Sequence, residues 1–153
     1  MGRFGFSYVG TVFLLALFVP NVIWAICARP EGYDPSSENR LLLSLERVGQ
    51  VVTVGAAVLY ADTNLRRWTL WSWWLLAAVV LMAAYEIAWI RYFAGRRTVR
   101  DFYRSLLGLP VPLASLPVGA FLLLGVYGHL LPLIVATVVL GIGHVGIHLQ
   151  HKQ

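Results

Sequence analysis

Long apolar stretches alternate with short polar ones along this chain, and the alternation predicts about five membrane-crossing helices. A helix needs roughly 20 apolar residues to cross ~30 Å of hydrocarbon. Residues 8–28 meet that length, with Pro20 inside as a kink that a membrane helix tolerates. Residues 41–61 form the second predicted span, interrupted by Glu46 and Arg47. Residues 68–90 form the third, whose one charge is Glu86. Between the first two, 29–40 reads as a loop from Pro30, Gly32, Pro35, Ser36 and Ser37; 62–67 reads as a short polar turn.

The next segment is too polar to cross. Placed on a helix, 96–107 puts Arg96, Arg97, Arg100, Asp101, Arg104 and Ser105 on one side, and Val99, Phe102, Tyr103, Leu106 and Leu107 on the other. That division predicts an amphipathic helix lying in the interface, its arginines toward lipid headgroups. The apolar run 109–149 is too long for one crossing: as one helix it reaches ~60 Å at 1.5 Å per residue. Tyr127-Gly128-His129 with Pro132 supplies the break, so 110–127 and 130–149 become the fourth and fifth spans. The predicted fold is a single all-α membrane domain: five transmembrane helices plus the interfacial one.

Composition agrees. The 153 residues are 59% hydrophobic and 12% charged, where a soluble domain carries about 25% charged residues. A net charge of +5 would suit nucleic acid, but the basic residues sit between apolar runs. Anionic headgroups are the expected partner, and nucleic acid is not. The lone Cys27 excludes an internal disulfide or a cysteine-based zinc site. Residues 8–28 are longer than a signal-peptide core and lack a clear cleavage site before Arg29, so they read as a retained helix.

Orientation follows from the basic residues. One face carries Arg29, Arg40, Arg91, Arg96, Arg97, Arg100, Arg104 and Lys152; the other carries Arg3, Arg66 and Arg67; Arg47 lies within the membrane. The first, here the basic face, is expected to be cytoplasmic, with the N-terminus outside and the C-terminus inside. Trp68, Trp71, Trp73 and Trp74 anchor one end of the spans, and Trp24, Trp89 and Tyr92 the other.

Polar side chains in hydrocarbon are costly, so each is a functional candidate. On the last span Thr137, Gly141, His144, His148 and His151 recur at spacings of four, three, four and three, which draws one stripe along a helix. On the second, Glu46, Gln50 and Thr53 share a side with Gly49 and Ala56, while Arg47 is turned about 100° away. Glu86 stands alone on the third, and Asn21 follows Pro20 on the first. Counted along their helices, Asn21, Glu46, Glu86 and His144 all lie roughly 6–10 Å below the basic face. Asn21, Glu46, Arg47, Gln50, Glu86, His144 and His148 are therefore candidates to line one polar pocket opening toward that face. His151 is expected in the headgroup layer, and His129 in the hairpin at the opposite face.

Three uses of such a pocket follow. Its carboxylates and imidazoles can bind a small solute or ion, or relay protons, as part of transport. Glu46, Glu86, His144 and His148 can hold a divalent metal (Zn²⁺, Fe²⁺ or Mn²⁺), with Glu46 or Glu86 as base in a membrane enzyme. Or the cluster only fixes helix order through interhelical bonds. Enzyme templates are missing: there is no HExxH, G-x-S-x-G, P-loop or dinucleotide fingerprint, and Gly141-Ile142-Gly143 reads as close helix packing. Haem is not expected, because His144 and His148 share a helix and His129 is across the membrane. Self-association is expected, since five helices leave little room for an enclosed pathway.

The whole chain resembles small uncharacterised bacterial polytopic membrane proteins. The resemblance is carried by Pro20-Asn21, Leu45-Glu46-Arg47, residues 85–92, Leu116-Pro117 and residues 141–151. It implies a multi-pass protein of the bacterial cytoplasmic membrane and brings no activity, substrate or cofactor with it.

Overall fold

The structure is a computed structural model that describes residues 2–33, 38–106 and 108–152. Residues 34–37 of the predicted first loop, and Leu107 at the end of the predicted interfacial helix, lie outside the described residues.

The described residues form six helices and no strand. Helix α1 (Tyr8–Ile23) starts at Ser7, whose hydroxyl accepts from the Gly10 amide at 2.9 Å. Pro20 removes a backbone donor inside it, and the helix runs on as a π-helical turn, Trp24–Ala28. Helix α2 (Arg40–Leu59) is capped by Asn39, which accepts from Leu41 at 2.8 Å. Helix α3 (Trp73–Ala94) follows a turn in which Thr69 and Ser72 cap each other. Helix α4 is one turn, Val99–Phe102. Helix α5 (Pro112–Gly128) ends where His129 takes a left-handed φ of 51°, and α6 (Leu131–Lys152) returns from that hairpin. The break predicted at Tyr127-Gly128-His129 is thus where the chain turns.

Among the described residues four segments are long and apolar enough to cross a membrane: Tyr8–Ala28, Arg40–Leu59, Leu70–Ala94 and Leu131–His151. The protein is a membrane-embedded helical bundle. The predicted fourth span differs in kind. Helix α5 has 17 residues, about 25 Å at 1.5 Å per residue, and is buried along much of its circumference. It lies between α3 and α6, with α2 packed along the far side of α6 and α1 touching α2, α3 and α5. A helix enclosed by others need not match the hydrocarbon thickness at its own surface.

The interfacial helix is far shorter than predicted. Gly95 ends α3, Arg97 adopts a left-handed φ of 55°, and the Thr98–Asp101 capping box starts a helix that stops at Phe102. The sidedness survives the shortening. Arg96, Arg97, Arg100 and Arg104 are exposed, while Phe102 and Tyr103 are buried. Phe102 packs among Trp24, Trp89, Tyr92 and His148, joining α1, α3 and α6 at the basic face.

At the opposite face the N-terminal segment pairs with the end of α2: Gly5 and Ser7 donate to Leu59 and Val58 carbonyls at 3.0 and 2.9 Å, and Ala61 donates to Arg3 at 3.1 Å. Asn64 accepts from the Val9 amide and donates to the Phe6 carbonyl. His129 is exposed in the hairpin and stacked on Trp71, with centroids 4.5 Å apart.

Candidate functional site

The site begins with a seam between α2 and α6. A Cβ on Gly49 would run into the backbone of Leu140, and one on Gly143 into the Leu42 carbonyl and the Glu46 backbone. Only glycine permits this approach. With the backbones so close, the neighbouring side chains meet: His144 Nδ1 and Glu46 Oε1 are 2.5 Å apart. Farther along the seam Thr53 and Thr137 are fully buried. The predicted stripe on α6 therefore does face other helices, and Gly141 lies against Val118 of α5.

Beside the seam is a cavity of about 230 Å³ between α1, α2, α5 and α6. Its polar wall is Asn21, Glu46, Gln50 and His144; its apolar wall includes Leu17, Phe18, Pro117, Phe121 and Leu140. Leu113, Pro117 and Phe121 of α5 are buried and form the floor, while Asn21 and Gln50 are exposed. The mouth therefore lies between α1 and α2. Asn21 is seven residues from Ala28 and Gln50 ten from Arg40, about 10 and 15 Å along a helix. The mouth thus opens at hydrocarbon depth, sideways rather than straight toward the basic face as predicted. The two helices diverge because they touch near their other ends, where a Cβ on Gly10 would strike the Ala57 carbonyl. Asn21 also ties α1 to α3, donating to Leu17 O at 2.7 Å and to Tyr85 Oη at 2.6 Å.

Four of the seven predicted pocket residues thus meet. The other three do not line the cavity. Arg47 is exposed and forms no ion pair with a described residue, as its 100° offset from Glu46 implies. Glu86 sits on α3, which packs on α5 and α1 and not on the α2–α6 seam; its Oε1 is buried without a hydrogen-bond partner. Matching depth did not place it beside His144, because depth leaves a helix's position in the bundle open. His148 lies one turn beyond His144, with ring centroids 4.6 Å apart, against Phe102 and Tyr103. The predicted metal shell is consequently divided. Among the described residues no three His, Cys, Asp or Glu side chains are placed to hold one ion.

His151 is held in a cluster at the basic face: its Nε2 is 3.1 Å from Glu38 Oε1, and its ring packs on Tyr33 and Tyr103. Side-chain exposures of 12% and 15% make this pair more enclosed than Glu46–His144, at 22% and 27%. Burial and the nearby Glu38 carboxylate raise the Tyr33 pKa; burial and the neighbouring Tyr33 raise that of Tyr103. The one sequence signal for Glu38 was its place before the Asn39 cap, at the same interface as His151. Outside this cluster lies an open basin of about 920 Å³, lined by Arg96, Arg100, Arg104, Thr98, Tyr103 and His151 among others. At its rim hydrogen bonds from Thr98 hold the Asp101 carboxyl below its ordinary pKa.

Compared with protein-family models, curated proteins and solved structures, the chain matches none of them.

Proposed function

We propose that the protein binds a small solute or ion in the cavity between α1, α2, α5 and α6, as part of transport across its membrane. The observation that carries this reading is the Glu46–His144 pair, 2.5 Å apart on the wall of an intramembrane cavity. Ionisable side chains at such depth mark solute and ion pathways. A carboxylate with an imidazole, flanked by the amides of Gln50 and Asn21, offers acceptors to a cation or hydrogen-bond donor. At about 230 Å³ the space falls below the ~300–1,000 Å³ of sites for drug-sized ligands, so the solute is small.

In this reading the basic face is cytoplasmic, and Arg96, Arg97, Arg100 and Arg104 meet anionic headgroups of a bacterial inner membrane. The test is uptake of labelled methylammonium and guanidinium into proteoliposomes, with thermal stabilisation by the same probes. Uptake that is lost in Glu46→Gln and His144→Gln supports binding. A second reading is favoured by the glycine seam: the pair only locks α2 to α6. It predicts that both variants lose thermal stability while neither probe ever binds.

A further inference from the structure

The basin at the basic face and the cavity within the membrane are joined by a column of protonatable side chains. Glu38 and His151 meet at 3.1 Å, with His151 and Tyr103 on the wall of the basin. The Tyr103 and His151 rings are stacked with centroids 6.5 Å apart, and Tyr103 and His148 follow at 5.9 Å. His148 and His144 are 4.6 Å apart, and His144 reaches Glu46 at 2.5 Å on the cavity wall. The Tyr103 hydroxyl is buried beside that of Tyr33, and it must turn from Tyr33 to reach the two imidazoles.

We propose that this column is a proton path from the cytoplasmic basin to Glu46. His151 takes a proton from water in the basin at one ring nitrogen and releases one from the other. Tyr103 accepts at its oxygen while giving up its own hydroxyl proton. His148 and His144 repeat the two-nitrogen exchange, and His144 Nδ1 delivers to the Glu46 carboxylate. One proton leaves the basin, one arrives on Glu46, and every intermediate group ends with the protons it began with. Rotation of the rings, or a bridging water, closes the ring-to-ring steps, which are longer than hydrogen bonds. The groups that set the charge along the path are Glu46 from α2, Glu38 and Tyr33 from the first loop, Tyr103 after α4, and the basin's Arg96, Arg100, Arg104 and Asp101. Because the cavity mouth opens at hydrocarbon depth, proton supply from water favours the column over the mouth.

In purpose this inference rests on the cavity's being a binding site, but proton arrival is read without any solute. The experiment is a rapid pH drop on the full chain in nanodiscs, followed by time-resolved infrared spectroscopy of the protonated-carboxyl band that Glu46→Gln removes. His148→Phe keeps a ring in place, and Tyr103→Phe removes only a hydroxyl. Each is expected to slow the band's appearance by about 100-fold, the lower end of what a positioned acid–base group contributes, with its final amplitude kept. An unchanged rate in either folded variant overturns the column. So does the absence of any Glu46 band, or slowing by Gln50→Leu alone, which would place the entry at the mouth. Loss of methylammonium binding with these kinetics intact would overturn the proposed function and leave the proton path standing.

Discussion

The two ends of the bundle are held together differently. At the N-terminal end the links are mostly hydrogen bonds that keep their partners across ordinary pH: backbone pairs from Gly5 and Ser7 to the end of α2, the Ser7–Thr63 hydroxyl pair at 2.6 Å, and Asn64 bridging Phe6 and Val9. At the basic end the links are aromatic and imidazole rings around Phe102 and two histidine–glutamate pairs. One end is closed mostly by hydrogen bonds of fixed partnership, with the Arg3–Asp62 pair beside them, while the other is built largely from groups whose charge can change. Stability should therefore be most sensitive at the first end, and chemistry at the second.

The largest effect is expected at the seam that both ends share. Gly143→Val forces a side chain into the α2 backbone and should cost more than the ~1–3 kcal/mol of ordinary overpacking. Thermal unfolding in detergent should show it, with Gly55→Ala, where an added Cβ meets nothing, within about 0.5 kcal/mol of the parent. If both behave alike, α2 and α6 do not approach as described.

The contrast between the ends is tested next. Asn64→Ala removes two hydrogen bonds, to the half-buried Val9 amide and the exposed Phe6 carbonyl, and at about 0.5–1.5 kcal/mol each should cost about 1–3 kcal/mol. His148→Phe keeps its ring contacts and should cost less than about 1.5 kcal/mol, as volume-conserving changes do. Equal losses would erase the division. Glu46→Gln should abolish methylammonium binding while costing about 1–2 kcal/mol, the scale of an interhelical hydrogen bond in a membrane.

The smallest effect belongs to Asp101. Its pKa is lowered in the folded state, so its bonds to Thr98 stabilise the α4 turn above the ordinary carboxylate range. That contribution fades as the pH falls below about 4. Amide exchange of residues 98–103 should quicken there, relative to the intrinsic exchange rate, in the parent and not in Asp101→Asn.

Much of this was legible in the amino-acid pattern. The apolar runs located the spans, Gly128-His129 located the hairpin, and the four-three periodicity of α6 identified the face that meets α2. The Glu46–His144 contact follows from two such faces at one depth. Glu86 was misplaced because periodicity and depth say where a residue lies on its own helix, not which helices are neighbours. The interfacial helix was overextended because its apolar–polar sidedness is equally satisfied by a turn, and Arg97 leaves the helical region just before it. Glu38, Tyr33 and Tyr103 went unrecognised as a group because loop folding brings them to His151, and no helical period records that.

The central claim is that Glu46 and His144 act on each other within the membrane. A double-mutant cycle of Glu46→Gln and His144→Gln, read by reversible unfolding in detergent, measures that interaction directly. A coupling of about 0.6 kcal/mol, and up to about 1.7, is the expected result. Strict additivity of the two single changes would contradict it, and with it the cavity's polar wall as a working site.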